Sequence, residues 1–233
     1  MKLKQSFVSD KLLLSISRCI LQTVFLCLIA FCMALHPQAS SPGRWSALKQ
    51  RYIRSKRVDR LIFVKYRGRS KADFLMYKKT AQGRWKKLIR CSAYVGQNGI
   101  GKKREGDKKT PTGTFNFTIA FGIKKNPGTS IRYKKLNPYL YWSSRRKDYN
   151  RLVDSRKAKG VSGEHLIRYK PHYNYAINID YNPKNIYGKG SAIFLHCRGN
   201  HPYTAGCIAI PQKHMKKVLR NATANTKICI YRK

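Results

Sequence analysis

After residue 58 the chain alternates between apolar and polar positions over short stretches, which is the pattern of β-strands with one buried face. Residues 59–68 (DRLIFVKYRG) predict a strand that ends at a glycine turn, and residues 72–96 predict two strands around an Ala-Gln-Gly turn. Further strands are predicted at residues 115–119, 175–181, 191–196, 206–210 and 227–233.

A clear helical period is confined to the segment before the last strand. There Met215, Val218 and Leu219 are spaced three and four residues apart, as on one face of a helix. Region 129–165 is rich in loops and is expected to be partly helical. Its Tyr- and Trp-rich part, residues 133–149, has two interpretations, as protein core or as the wall of a substrate groove. The whole pattern predicts a mostly β domain with small helical additions.

The N-terminal residues have a different pattern of charge and hydropathy. A basic leader is followed by a 17-residue run without a charge, residues 19–35, and then by a polar, turn-rich stretch. This order predicts that residues 1–40 are a cleaved signal peptide or an uncleaved signal anchor, with a buried core helix as the alternative. Residues 41–57 are expected to be a basic linker with a short helix, and residues 58–233 the folded domain. The domain is then exported, to the periplasm or cell envelope, and is anchored by residues 19–35 if cleavage does not occur.

Charge is the most extreme feature of the composition. The chain has 50 Lys and Arg residues against 9 Asp and Glu residues, a formal net charge of +41. Such a surface attracts anionic polymers, although a general lysine bias of the source proteome would give the same composition. The basic residues are spread along the chain, so the sequence defines no single binding patch.

The seven cysteines fall into two groups. Three lie in the apolar N-terminal run and are expected only to pack. The other four belong to the exported domain: Cys91, Cys197, Cys207 and Cys229. Four exported cysteines can pair in three ways, but a domain of this size does not need disulfides for stability. We therefore expect free thiols, with Cys91 and Cys229 buried on strands.

A segment near the C-terminus combines thiol and imidazole chemistry. His196 ends an apolar strand, and Cys207 follows Gly206 eleven residues after that histidine. A thiol becomes an effective nucleophile when a histidine lies within hydrogen-bond reach. Gly206 leaves room for a substrate carbonyl, and the amides of Gly206 and Cys207 are candidate donors to an oxyanion. The chemistry of this segment thus makes Cys207 a candidate nucleophile and His196 its candidate base.

Two other interpretations of this segment are weaker. A metal site would use His196, Cys197, His201 and Cys207, but the spacing is not a familiar zinc pattern. Neighbouring strand residues also point to opposite faces, which argues against this site and against a Cys197–Cys207 disulfide. A papain-like protease is excluded because there the cysteine precedes the histidine by a long stretch.

The remaining histidines are expected at the surface. His201 is expected in an exposed loop, and the others carry no motif: His165, His172 and His214.

The residues around His196 and Cys207 also resemble a motif of a known protein family. Residues 190–210 (GSAIFLHCRGNHPYTAGCIAI) resemble the active-site segment of the L,D-transpeptidase (YkuD-like) catalytic domain family, with a strand-end His, a Gly-containing loop and Ser/Thr-x-Gly-Cys. Upstream, residues 93–117 resemble the family's Val-Gly and Gly-Asp-x-x-Thr-Pro-x-Gly segments. The stretches YNRLVD and IDYNP fit one branch of the family. The resemblance extends from about Val58 to Cys229.

This resemblance implies a β-sandwich around a cradle and an enzyme that cross-links or trims peptidoglycan. Cys207 would form a thioester with a stem peptide, and His196, oriented by a backbone carbonyl, would be the base. Thr204 would support the loop, and the Gly206 and Cys207 amides would hold the oxyanion. The resemblance implies no metal and no organic cofactor. It makes stem peptides the expected partners. The basic surface adds anionic envelope polymers, and no nucleic acid is expected as a partner.

The sequence departs from the family pattern beside the cysteine. Ala205 and Ala209 stand where the family often has a His and an Arg or Asn, and the loop from His196 to Cys207 is short. The sequence therefore does not determine the acyl acceptor. Three reactions stay open: transpeptidation, L,D-carboxypeptidase activity and hydrolysis of another wall amide. The high charge leaves a non-catalytic protein that binds envelope polymers as the alternative.

Overall fold

The computed structural model describes residues 43–232. Within this range the fold is mostly β with two short α-helices, α1 (Arg44–Ile53) and α2 (Gln212–Asn221). The strands are β1 (Arg60–Gly68), β2 (Lys71–Lys79), β3 (Trp85–Tyr94), β4 (Gly113–Phe115), β5 (Phe117–Gly122), β6 (Tyr133–Lys135), β7 (Leu140–Ser143), β8 (Leu152–Asp154), β9 (Gly163–His165), β10 (Ala176–Ile179), β11 (Phe194–Cys197), β12 (Ile208–Ile210) and β13 (Thr226–Arg232). The mostly β prediction is confirmed.

The predicted signal or anchor segment, residues 1–40, lies outside the described residues. Residues 43–232 contain no helix that is long and apolar enough to cross a bilayer.

Ten strands form one sheet in the order β4-β13-β1-β2-β3-β12-β11-β10-β5-β6. Strands β4 and β5 lie near opposite ends of this order, yet Asn116 alone separates them in the chain. One intervening residue spans less than about 8 Å, so the sheet has to curl until its two ends meet. The curled sheet brings its two halves face to face, which is consistent with the expected sandwich.

The main core fills the space inside this curled sheet. Apolar side chains from both halves meet there, and all are buried: Ile62, Val64, Phe74 and Met76 from β1 and β2, and Ile177, Leu195, Ile208 and Ile210 from β10 to β12. Helix α2 packs against this core through Met215, Val218 and Leu219, each with no exposed area. The helical stripe predicted from the sequence is therefore confirmed.

Helix α1 packs on the outer face of β1, β2 and β13. Trp45 lies with its ring 5.1 Å from that of Phe63, and Leu48 and Tyr52 join the same apolar cluster. The indole of Trp85 donates a hydrogen bond to the Lys49 carbonyl, 3.1 Å away. The basic segment before residue 58 thus contributes a helix to the domain, in addition to its expected connecting role.

A second sheet, in the order β8-β7-β9, belongs to the other outer face of the molecule. It helps to cover β5, β10 and β11 through an aromatic cluster that contains Phe121, Trp142, Tyr173 and Phe194. Region 129–165 is therefore built from short strands with one 3₁₀ helix at Arg146–Asp148, so the partly helical structure expected there is limited to this single turn. The outer sheet also explains why every residue of β10 is buried, although the sequence alternates there.

Candidate active site

Strand register places His196 and Cys207 on one face of the sheet. In the parallel pair β11–β12, His196 lies opposite Ala209 and Leu195 opposite Ile208. Cys207 directly precedes β12, which puts it beside Phe194, two residues from His196 along the strand direction. Side chains alternate with a period of two, so both residues project to the same side as diagonal neighbours. Cys197 projects to the opposite side, into the main core.

His196 is held as a neutral base. Its Nδ1 lies 2.8 Å from the Cys197 carbonyl oxygen, which can only accept, so Nδ1 carries the proton. Nε2 is then left with a lone pair. Burial of the ring lowers its pKa to about 4, against a smaller opposing effect of the carbonyl, and the neighbouring His172 lowers it further.

Cys207 is held as a neutral thiol. It donates to the Ala192 carbonyl, 3.1 Å from Sγ, and it accepts a hydrogen bond from the Phe194 amide at 3.3 Å. Burial raises the pKa of Cys207 to about 12, and the nearby Glu164 raises it further, against smaller opposing effects of the Phe194 amide and Lys102. The free protein therefore contains a thiol and an imidazole, not a thiolate and an imidazolium.

Two threonines fix the backbone of Cys207. The Thr204 hydroxyl donates to the Cys207 carbonyl at 2.7 Å and accepts from the Gly206 amide at 3.1 Å. The Thr110 hydroxyl donates to the same carbonyl at 3.1 Å and accepts from the Gly96 amide at 2.8 Å. The Thr204 hydroxyl thus links the Gly206 amide to the Cys207 carbonyl. The Gly206 amide is engaged inside the loop, and its role as an oxyanion donor stays a prediction.

Gly206 is required by geometry. Its φ of +146° lies in a region that side-chain-bearing residues rarely adopt. A Cβ atom at this position would lie 3.0 Å from the Lys109 carbonyl oxygen and 3.3 Å from Ile193 Cδ1. The turn into Cys207 therefore leaves no space for a side chain.

Asp107 organises the loop that carries Thr110. Its carboxylate accepts from the Lys102 ammonium at 2.8 Å and from the backbone amides of Lys103 and Lys109 at 2.7 and 3.0 Å. Burial alone would raise the pKa of Asp107, but the Lys102 and backbone donors hold it at about 2. The Gly-Asp-x-x-Thr-Pro segment thus acts as a folded support that ends in the Thr110 contact to Cys207.

Cys207 lies where two cavities meet. One has a volume of about 380 Å³ and is lined by Lys102, Trp142 and Ser191, among others. The other has a volume of about 250 Å³ and contains His172, His196, His201 and Tyr203 in its wall. Four residues line both cavities: Glu164, Tyr169, Ala205 and Cys207. A ligand can therefore approach the sulfur from two sides.

The family assignment follows from comparison with known proteins. A family model of the YkuD L,D-transpeptidase catalytic domain matches residues 59–230, which is well over half of the chain. The chain belongs to this family. Members are cysteine-dependent L,D-transpeptidases, with a function on peptidoglycan in the cell envelope. A search of curated proteins finds no match.

The L,D-transpeptidase domain also brings residues to the site that the sequence did not indicate. The Tyr173 ring lies 5.7 Å from that of His196, and its hydroxyl donates to Glu164 at 2.5 Å. His172, expected at the surface without a role, lies with its ring 5.6 Å from that of His196. His201 is exposed, as expected, but it also lines the cavity of His196.

Glu164 is the most informative of these residues. No acidic residue is near Cys207 in the sequence, and Glu164 is more than forty positions away. It reaches the site on β9, a three-residue strand that pairs with β7. Such a short strand has no detectable alternation, so the sequence contains no signal that would have predicted this contact.

Proposed function

We propose that the protein is a cysteine L,D-transpeptidase that acts on peptidoglycan stem peptides through a thioester on Cys207. The observation that supports this most directly is the placement of Cys207 and His196 on one sheet face, with Cys207 at the junction of two cavities and His196 in the wall of the smaller one. The Cys197 carbonyl orients the imidazole so that Nε2 is free to accept a proton. The site therefore combines a nucleophile, an oriented base and space for two substrates.

In the first half-reaction, Sγ of Cys207 attacks the carbonyl carbon of the donor amide, and the thiol proton passes to Nε2 of His196. The carbonyl electron pair moves to the oxygen, where the Cys207 amide is the proposed donor to the oxyanion. Collapse of this intermediate breaks the C–N bond. The leaving amine takes the proton from His196, and a thioester remains.

In the second half-reaction, an acceptor amine attacks the thioester carbonyl and gives its proton to His196. The C–S bond breaks, and the proton returns to Sγ of Cys207. Water in place of the amine gives hydrolysis, which is the carboxypeptidase-type outcome. The two cavities that meet at the sulfur favour transfer, because they allow a donor and an acceptor to bind together.

Residues 1–40 are proposed as the signal peptide or anchor that brings residues 58–233, the catalytic domain, to the periplasm or cell envelope. The net charge of +41 would hold the enzyme near anionic envelope polymers, through an attraction that salt weakens.

The function is tested by muropeptide analysis of cells that carry the wild-type protein, Cys207→Ala or Cys91→Ala. Cys91 is a half-buried thiol on β3 that lines neither cavity, so it is the matched control. We expect Cys207→Ala to remove cross-links that Cys91→Ala retains. A change in stem-peptide length without any change in cross-links would instead identify a hydrolase. Identical muropeptides in all three strains would reject the peptidoglycan assignment.

A further inference from the structure

A further cavity lies apart from the candidate active site, between outer strands of the two sheets. Its volume is about 430 Å³, and it shares no lining residue with the two cavities beside Cys207. Most of its wall comes from β6, the last strand of the ten-stranded sheet, and from β8, an outer strand of the small sheet. A cavity of this size is large enough to bind a small molecule.

Three cations, Arg132, Lys134 and Lys157, form the rim of this cavity. Lys134 lies opposite Phe121 in the parallel pair β5–β6, and Phe121 belongs to the aromatic cluster that the small sheet covers. Because side chains alternate along a strand, Lys134 and Arg132 both project towards that sheet. Lys157 lies in the loop that follows β8. All three are exposed, and none of them forms an ion pair within residues 43–232.

Asp154 is the one carboxylate among the residues that line this cavity, and it is already paired. The Arg156 guanidinium donates to its two oxygens at 3.0 and 2.6 Å, and the Arg156 amide donates at 3.1 Å. These hydrogen bonds hold the pKa of Asp154 at about 2, against the smaller opposing effect of burial. The carboxylate is therefore ionised and its charge is balanced by Arg156, so it does not neutralise the three rim cations.

The buried side of the cavity is an apolar floor, formed by Ile119 of β5, Leu140 of β7 and Leu152 of β8. Ile119 and Leu140 are buried, and Leu152 is half-buried against the same apolar cluster. Lysines on outer strands commonly protect a sheet edge from pairing with another chain, but that role requires neither a cavity nor an apolar floor. A cationic rim beside an apolar floor fits a ligand that combines an anionic group with a hydrocarbon part.

We propose that this cavity binds a phosphate monoester, with the phosphate among the rim cations and the hydrocarbon part against the floor. A phosphate monoester carries a charge of about −1.5 to −2 at pH 7, so three cations match it better than they match a single carboxylate. The planar guanidinium of Arg132 also suits bidentate contact with phosphate oxygens. Because Cys207 takes no part in this site, the inference goes beyond the proposed function and does not depend on it.

The test is calorimetric titration of the full chain with hexyl phosphate and with inorganic phosphate. Hexyl phosphate should bind about ten-fold more tightly or better, because burial of two methylene groups against the floor accounts for about that factor. The double variant Arg132→Gln/Lys134→Gln should weaken the binding of hexyl phosphate about ten-fold or more, since it removes charge-assisted hydrogen bonds.

The matched control is Lys86→Gln/Lys87→Gln, which removes two charges from exposed positions of β3 that line none of the three cavities. Its affinity for hexyl phosphate should equal that of the wild type. Equal weakening in the two double variants would show that only the general positive charge attracts the ligand, and would overturn the site. No binding of hexyl phosphate, or no preference over inorganic phosphate, would overturn it as well.

A second arm distinguishes the sources of the phosphate, because it can belong to a soluble molecule or to a bilayer lipid. Co-sedimentation compares phosphatidylcholine vesicles with and without phosphatidic acid. An increase with phosphatidic acid that the cavity variant loses and the control keeps supports a lipid ligand, and hexyl phosphate binding without this increase supports a soluble one. Cys207→Ala should bind hexyl phosphate as the wild type does, so a failure of acylation would leave this site intact.

Discussion

At the scale of single residues, burial acts in opposite directions on the two central groups. It raises the pKa of Cys207 to about 12 and lowers that of His196 to about 4, so both are uncharged at neutral pH. In the proposed mechanism the proton then leaves the thiol during attack, with His196 as general base. The thiol also has to turn from the Ala192 carbonyl towards the imidazole when substrate binds.

The resting protonation state predicts the pH profile of alkylation. Between about pH 6 and about pH 9, the rate at which iodoacetamide modifies Cys207 should rise about ten-fold per pH unit, since only the thiolate reacts. The modification is measured by mass spectrometry of the peptide that contains Cys207. His196→Ala should leave the profile unchanged. A plateau near neutral pH that is lost in His196→Ala would instead show that His196 already accepts the thiol proton in the free protein.

His196 also predicts an acid-dependent loss of stability. Its folded-state pKa of about 4 lies below the ordinary 6.5, so below pH 6.5 the unfolded chain binds the proton more readily. The contribution of the neutral His196 to the free energy of unfolding is complete above pH 6.5. About 3 kcal/mol of this free energy is lost as the pH falls towards 4. Urea denaturation at a series of pH values measures this. His196→Gln should have a flatter profile in this window, and an equally steep loss in that variant would refute the assignment.

Cys207 and His196 could be proposed from the sequence because their strand-end and Gly-Cys context is local. It could not select Glu164, Tyr173 or His172, because only the tertiary fold brings these residues to the site. The contact between the Gly206 amide and the Thr204 hydroxyl could not be predicted for a similar reason, since it depends on the loop conformation.

At the scale of structural elements, two loops converge on one carbonyl. The loop after β3 supplies Thr110, the loop after β11 supplies Thr204, and both hydroxyls donate to the Cys207 carbonyl. Because Thr110 has no exposed area, its hydroxyl cannot be replaced by bulk water. Each of these loops therefore depends on the other for its position.

Thr110→Val should lower the free energy of unfolding by about 1–3 kcal/mol, because it removes a buried hydroxyl and leaves the Gly96 amide unpaired. It should also slow acylation of Cys207 by displacing the backbone of that residue. Thr112→Val is the control, since Thr112 is exposed in the same segment. The measurements are urea denaturation and the rate of acylation. Equal stability and equal rates in the two variants would show that the contact has no structural role.

Element length explains which strands the sequence predicted. Strands β1, β2 and β3 have nine or ten residues, which is long enough for their alternation and turns to be recognised. Strands β6, β8 and β9 have three residues each, and their pairing is decided by contacts that are distant in the sequence. Of these three strands, β9 lines the cavities beside Cys207, so one wall of the site was among the least predictable parts of the fold.

At the scale of the whole molecule, the curled sheet has apolar clusters on both sides. The main core lies inside, α1 covers one outer face, and the small sheet covers the face that contains Cys207. The alternating pattern predicted one buried face for each strand, and the outer clusters exist because further elements pack there. Helix α1 is accordingly part of the folded domain as well as a connection to the N-terminal segment.

Trp45→Ala should lower the free energy of unfolding by about 2–4 kcal/mol, because the indole packs against Phe63 and Tyr231. The substitution should not change the rate of acylation of Cys207, since α1 belongs to a different apolar cluster from the site. Ser46→Ala, at an exposed position of the same helix, is the control. Unfolding curves that coincide for the two variants would contradict the docking of α1.

The central claim is that Cys207 becomes acylated by a stem peptide. The most direct measurement is the intact mass of the purified protein during incubation with a tetrapeptide donor, followed by peptide mapping. We predict a mass increase that equals the acyl part of the donor, located on Cys207, removed by hydroxylamine, and absent in Cys207→Ala. The absence of any adduct under turnover conditions, or an adduct that persists in Cys207→Ala, would contradict the account.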